Sequence, residues 1–183
     1  MRPALVGRDT MELRLRLCVI RPWSFNDAVS LQRHANNRNI WRNLRDIFPH
    51  PYTLDDAHAF LRHVANENPM TTFGLATPDE GIGCIGLQMG RDVHRKTAEV
   101  GYWLGESFWG RGIMSEAIPP FTRWAFETFN LERIYAEPFA NNPASARVLE
   151  KAGFVCEGRL RCRVFKDGQH LDSFLYARLR NAA

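Results

Sequence analysis

The chain has 183 residues, of which 45% are hydrophobic and 24% charged, with a formal net charge of +4 at pH 7. That length and balance fit one globular domain with a real core, and they exclude a disordered chain and a dedicated nucleic-acid-binding composition. No apolar run approaches the roughly 20 residues needed to span a bilayer, and Met1 to Thr10 holds no apolar stretch of the kind a secretory signal needs.

Residues 1–10 read as a flexible tail and 11–183 as one domain. Leu13 to Val19 alternates leucines with Arg14 and Arg16, the period of a half-buried strand, which Arg21-Pro22 ends. Ser24 with Asp27 makes a capping-box start for a helix that runs towards Asn36 or Asn37. Residues 38–52 read as irregular, rich in arginine and aromatics and broken by Pro49 and Pro51. Thr53 with Asp56 caps a second helix, which carries Leu54, Ala57, Leu61 and Val64 or Ala65 at helical spacing. Residues 71–76, 83–89 and 97–104 read as strands, the first two joined by the turn Pro78-Asp79-Glu80-Gly81. A helical pattern follows over 113–129 through Ile113, Ala117, Phe121, Trp124 and Phe129, and 133–137 is a brief strand. Asn142 as N-cap, Pro143 in the first turn and Gly153 past the end mark another helix. Residues 154–164 and 174–180 read as strands joined around Lys166-Asp167-Gly168, where Asp-Gly signals a hairpin. The order gives a mixed α/β or α+β sheet with one clear βαβ unit.

Cys18, Cys84, Cys156 and Cys162 form no C-x-x-C pair and sit in apolar or strand-like contexts. They read as reduced, mostly buried thiols of a cytoplasmic protein. The six histidines show no H-x-H or H-E-x-x-H spacing, so no metal is expected.

The stretch from Glu99 to Phe154 carries the chemistry. Trp109-Gly110-Arg111-Gly112-Ile113-Met114-Ser115 leads from a strand into a helix. Two glycines at such a junction let backbone N–H groups converge on a phosphate, and the helix N-terminus adds unpaired donors and partial positive charge. Arg111 adds a full charge. A tight turn that happens to be glycine-rich accounts for the same residues. The third glycine of G-x-G-x-x-G is missing, and so is the Gly-Lys-Ser/Thr of a P-loop.

This segment resembles the acyl-CoA-binding motif Q/R-x-x-G-x-G/A of the GNAT superfamily, in particular its ribosomal-protein alanine acetyltransferase (RimJ/RimL-like) branch. Trp109 and Met114 stand where the general motif has Q/R and G/A, while the central glycine is kept. Glu99-Val-Gly-Tyr-Trp-Leu104 before it and Asn142-Pro-Ala-Ser145 with Leu149-Glu-Lys-Ala-Gly-Phe154 after it extend the resemblance. Arg21-Pro22, Asp27 and the closing hairpin carry it over nearly the whole chain.

The resemblance implies a central, mostly antiparallel twisted sheet splayed between two parallel strands, at 99–104 and 133–137, and flanked by about four helices. Acetyl-CoA would lie in the splay as cosubstrate, with its pantetheine on the backbone near Trp103 and Leu104. Its pyrophosphate would sit on the amides from Gly110 to Ser115, Trp109 belongs to the same binding motif, and Asn142, besides capping its helix, would contact the cosubstrate or an ordered water. Pro119-Pro120 falls where the following helix is under way, so that helix is expected either to kink or to begin late and loosen the phosphate cradle.

The implied reaction moves an acetyl group to a primary amine, either a protein N-terminal α-amine or a small-molecule amine. The amine must lose a proton, so a base is needed. Glu99 is the first candidate and Glu137 the second, each equally readable as a strand-surface glutamate; Glu116 reads as a helix-dipole partner. Ser145 matches the family's serine near the thiol, a donor for the departing thiolate, and a first-turn helix residue otherwise. A backbone N–H near Leu104 is the expected oxyanion donor. No Ser-His-Asp or Cys-His constellation appears, which favours direct attack. Trp41, Phe48 and Tyr52 beside Arg42 and Arg45, with Arg159, Arg161 and Arg163 on one strand face, offer an acceptor site for an acidic or phosphorylated group, or a plain solvated surface. A catalytically silent CoA sensor and an RNA- or ribosome-associated protein are the other readings. No membrane partner is expected, nucleic acid is disfavoured, and a homodimer is compatible with the resemblance.

Overall fold

A computed structural model describes residues 11–181; the expected tail over 1–10 lies outside the described residues. The first strand does not run through as one piece. It splits into β1 (Leu13–Arg14) and β2 (Val19–Arg21), antiparallel with Leu13 opposite Ile20, across a turn closed by the Leu15 amide on the Cys18 carbonyl at 2.9 Å. Leu13, Leu15 and Leu17 all pack against the core, and the turn between the two strands is anchored from a distant residue. The anchor is Glu116, whose Oε1 accepts the Arg16 amide at 2.8 Å.

Ser24 and Asp27 form the expected capping box, ahead of α1 (Ala28–Ala35). Arg21 grips the buried Asp27 through both guanidinium nitrogens, at 2.8 Å each. The irregular segment holds one short turn of helix, α2 (Arg38–Trp41), capped by Asn37. Thr53 and Asp56 box the start of α3 (Leu54–Ala65) as expected. Next come β3 (Thr72–Ala76), β4 (Gly81–Met89), β5 (Thr97–Leu104) and α4 (Ile113–Thr128). The chain closes with β6 (Arg133–Ala136), α5 (Pro143–Lys151) and the long hairpin β7 (Val155–Lys166) and β8 (Gln169–Leu179). Asp167 and Gly168 both take positive φ at its tip, as a two-residue hairpin turn of this hand requires.

Among the described residues eight strands make one sheet in the order β1-β2-β3-β4-β5-β6-β8-β7, and only β5 and β6 run parallel. Five helices of the described residues flank it, one more than expected, because the arginine-rich segment coils into α2. The main core gathers Ile20, Phe73, Ile85, Phe121 and Ile134 between the sheet and α4; a second cluster packs α1 and α3 around Leu31 and Leu61.

Pro119 and Pro120 do not delay α4, which begins at Ile113 and runs unbroken to Thr128. Each proline removes one donor, which frees the carbonyls of Ser115 and Glu116. One turn on, the Thr122 hydroxyl donates to Ile118 and Pro119 at 3.0 and 3.1 Å. The cysteines also depart from expectation: all four are free and Cys18 and Cys84 are buried, but Cys156 and Cys162 are exposed on the edge strand β7.

Candidate active site

Two facts about β5 create the site. First, its pairing with β6 stops early: Thr97, Ala98 and Glu99 face Arg133, Ile134 and Tyr135, and no pair follows. Second, its hydrogen-bonding alternates. The Gly105 amide bonds Ile82 on β4 at 2.8 Å, and the Gly90 amide takes the Thr97 carbonyl at 2.9 Å, so odd-numbered residues face β4. The Lys96 carbonyl accepts from Glu132 at 2.8 Å on the β6 side. Even-numbered residues therefore face β6, and past Glu99 the Val100 carbonyl, the main chain of Tyr102 and the Leu104 amide face an open gap. That corrects the pairing expected at Trp103, whose backbone belongs to β4; its ring packs edge-on to Phe48 at 5.9 Å.

The gap is part of a cavity of about 760 Å³, within the range of small-molecule sites. Glu99, Trp103, Leu104, Trp109, Gly110, Gly112, Ile113, Met114, Ser115, Asn142 and Ser145 all line it. Arg111 does not; it is exposed, with its guanidinium 5.3 Å from the Phe108 ring centre. Ile113, Met114 and Leu104 are core side chains, so what they can offer a polar ligand is backbone.

At one end of the cavity α4 starts without a side-chain cap. Gly112, its N-cap, has φ 82°, and Gly110 has φ 73°. Both lie in the left-handed region that glycine adopts without strain. Glu116 returns its amide to Gly112 at 3.0 Å, while the first-turn amides ahead of it point outward, a ready seat for an anion. Trp109 is spoken for: its indole N–H donates to the Leu104 carbonyl at 2.7 Å and ties the glycine loop back to β5. Asn37 and Asn39 hold the same loop from the other side through Glu106, at 2.6 and 3.0 Å.

At the middle stands a pair of hydroxyls. Tyr102 Oη and Ser145 Oγ are 2.8 Å apart, and the Ser145 amide donates to the Asn142 cap at 3.2 Å. Burial pushes the Tyr102 phenol up to about 12, with the Ser145 bond pulling the other way. Tyr102 was missed in the sequence, although the 98-100-102-104 alternation of β5 was there to place it. Arg147 and Lys151, on one face of α5 at i and i+4, also line the cavity and were missed.

At the far end Glu99 sits where the strands part. Both its oxygens accept from Arg45 Nη2, at 2.6 and 2.5 Å, and Arg45 Nη1 donates to Gln88 at 2.7 Å. Glu137, on the opposite lip, pairs with Arg163 at 3.3 Å. Between the 44–46 segment and the hairpin tip lies a second cavity of about 350 Å³, which both glutamates also line.

The expected acceptor residues separate. Tyr52 is buried against Phe48, ring centres 4.9 Å apart, and belongs to the second core. Trp41 lies under the buried Lys166, whose ammonium is 3.7 Å from the ring and pairs with Asp46 at 2.6 Å. Arg159, Arg161 and Arg163 do not share one face at period two: a bulge sets 161–163 opposite the single residue Asp172, with Cys162 at φ 50°. Arg159 pairs with Asp172 at 2.6 Å, so that arginine and Arg163 both have carboxylate partners.

No group of three or more His, Cys, Asp or Glu among the described residues is placed to hold a metal, and no described helix is long and apolar enough to cross a membrane.

Comparison with known proteins agrees with this architecture. Residues 16–155 match the acetyltransferase (GNAT) domain family. The putative ribosomal N-acetyltransferase YdaF of Bacillus subtilis (strain 168) is 36% identical over 107 residues, which cover 58% of each protein. The match thus spans less than two thirds of that relative's length. The ribosomal protein uS5-alanine N-acetyltransferase of Escherichia coli (strain K12) is 33% identical over 165 residues, 79% of this chain and 84% of the relative. The solved structure of Mycobacterium smegmatis RimJ in complex with CoA-disulfide superposes with TM-score 0.79 at 22% identity, covering 93% of this chain and 87% of that one. At that identity the likeness concerns the fold.

Proposed function

The chain belongs to the GNAT acetyltransferase family, and on that premise we propose that it moves an acetyl group from acetyl-CoA to a primary amine by direct attack. The observation that carries the reading is the early parting of β5 and β6 at Glu99, which opens a cavity onto the uncapped start of α4. An extended ligand fits a strand edge with unpaired main-chain groups, and a phosphate fits the helix start.

Acetyl-CoA supplies an activated thioester when bound. The amides from Ile113 to Ser115 hold its pyrophosphate, and Arg147 and Lys151 add charge for further phosphate. The Leu104 amide pairs with the pantetheine, its carbonyl being held by the Trp109 indole. The oxyanion donor expected near Leu104 moves to the Tyr102 amide, closer to Glu99 and the Tyr102–Ser145 hydroxyls. Glu99 takes the proton from the amine, directly or through water. The Tyr102–Ser145 pair gives a proton to the departing thiolate, with Tyr102 held protonated across the working pH range by its burial. Acyl transfer is then balanced: the amine gains the acetyl group and loses a proton, and the thiol leaves protonated.

The acceptor is a protein N-terminal α-amine or a small-molecule amine. Release of free thiol from acetyl-CoA, followed against a panel of N-terminal peptides and simple amines, tests the reading. Amine-dependent release that is lost in Glu99→Gln supports it; acetyl-CoA binding with no release against any amine points to a silent CoA sensor.

A further inference from the structure

The second cavity is walled by Arg45, Asp46, Glu99, Glu137, Arg163 and Lys166, three cations and three anions, with Leu44, Phe139, Val164 and Phe165 between them. Every one of those charges has a partner of opposite sign: Arg45 with Glu99, Lys166 with Asp46, and Arg163 with Glu137. The cavity is therefore neutral as it stands. It joins the main cavity at Glu99 and Glu137, which line both. Tyr135, between the two glutamates on β6, feels both: its phenol is raised first by burial, then by the charges of Glu99 and Glu137.

The members of the Arg45–Glu99 pair differ in exposure and in backbone support. Glu99 stands on a paired strand position and is 17% exposed, whereas Arg45 reaches in from a loop and is 59% exposed. A half-exposed pair of this kind contributes little net stability and exchanges partners readily. Arg45 would not be lost on exchange, because its other nitrogen is held by Gln88.

We infer that Arg45 occupies the seat of the acceptor's ammonium on Glu99, and that on binding Arg45 turns to hold an acidic group of the same acceptor. The class of acceptor this selects is a peptide N-terminus followed closely by an acidic residue. The inference rests on the reading of Glu99 as the group that meets the amine. Charge balance chooses among amines. A dication would add two positive charges to a neutral, half-buried cavity and leave Arg45 facing an ammonium. An α-ammonium with a carboxylate one residue away replaces one ion pair by two and keeps the cavity neutral.

The test uses C-terminally amidated tetrapeptides Ala-Asp-Gly-Gly, Ala-Asn-Gly-Gly and Ala-Lys-Gly-Gly, titrated calorimetrically into the full chain with CoA present. Thiol release with acetyl-CoA is measured in parallel. The expected order is Asp over Asn over Lys, with Asp favoured over Asn at least fivefold. In Arg45→Gln the Asp-to-Asn ratio falls to about one and the Asn peptide binds as well as before or better, since its seat is empty. Arg45→Lys keeps the charge and keeps the Asp preference. Preference for the Lys peptide, an Asp preference that survives Arg45→Gln, or binding of none of the three overturns the inference. Failure of the transferase reading is a different result: no thiol release, with the peptide ranking by calorimetry intact.

Discussion

The hydroxyls of Tyr102 and Ser145 meet at 2.8 Å across the gap between β5 and α5. One comes from a strand that has lost its neighbour, the other from the first turn of a helix capped by Asn142. Together they put a proton donor at the middle of the cavity, between the phosphate seat and Glu99.

Tyr102→Phe and Ser145→Ala should each lower kcat about 100-fold, the low end of what a single general acid contributes. Acting through one hydrogen bond, they should be non-additive, with the double variant little worse than the worse single one. A double-mutant cycle on kcat measures this. Full additivity would mean that the two hydroxyls act separately.

Glu99→Gln should cost about 100-fold or more in kcat while leaving the affinity for acetyl-CoA within twofold. Calorimetry and steady-state kinetics on the same variant separate the two. Equal loss of cosubstrate affinity and rate would place Glu99 in the structure of the cavity rather than at the amine.

Much of the fold was legible, because its signals are local. Ser24 with Asp27, Thr53 with Asp56 and Asn142 with Pro143 each announce a helix start within three or four residues. The glycine loop was legible for the same reason: Gly110 and Gly112 do what glycine is needed for, and adopt positive φ. What depends on distant residues was not. Leu13 to Val19 has the period of one strand, and its break is fixed by a carboxylate a hundred residues on, at Glu116. Trp109 lines the cavity, but only the structure shows its indole N–H committed to the Leu104 carbonyl. The arginines at 159, 161 and 163 lose their common face to a bulge that residue type alone does not signal. Pro119 and Pro120 were weighed as helix breakers, yet packing of Ile118, Phe121 and Ala125 in the core holds α4 together through them.

The thiols should divide in two. Burial pushes Cys84 up to about 12; burial, then the charge of Glu116, pushes Cys18 up to about 11. Thiolate is the reactive form, so neither should react at pH 8, while exposed Cys156 and Cys162 should. A chromogenic disulfide reagent should titrate two thiols in the native protein and four in denaturant. Four rapid native thiols would contradict the burial of Cys18 and Cys84.

Acid should weaken the fold at Asp27. Burial raises that carboxyl, but the Arg21 hydrogen bonds and the Ser24 amide lower it more, and its net value lies below the ordinary one. A depressed folded value means a contribution that is complete above the unfolded value near pH 4 and lost as pH falls through the folded one. Asp27→Asn should cost about 2–4 kcal/mol at pH 7, because it strips Arg21 of a partly buried partner. The urea midpoints of the two proteins should converge below about pH 4. A gap that stays constant into acid would remove the ion pair from the account.

The central claim is that the parting of β5 and β6 makes an acetyl-CoA site ending on the uncapped start of α4. Isothermal titration of acetyl-CoA into the wild type and Gly112→Trp tests it most directly. The account predicts micromolar binding by the wild type and none by the variant, since a bulky side chain at φ 82° both strains the loop and covers the amides. Equal binding by a folded Gly112→Trp, or none by the wild type, would contradict it.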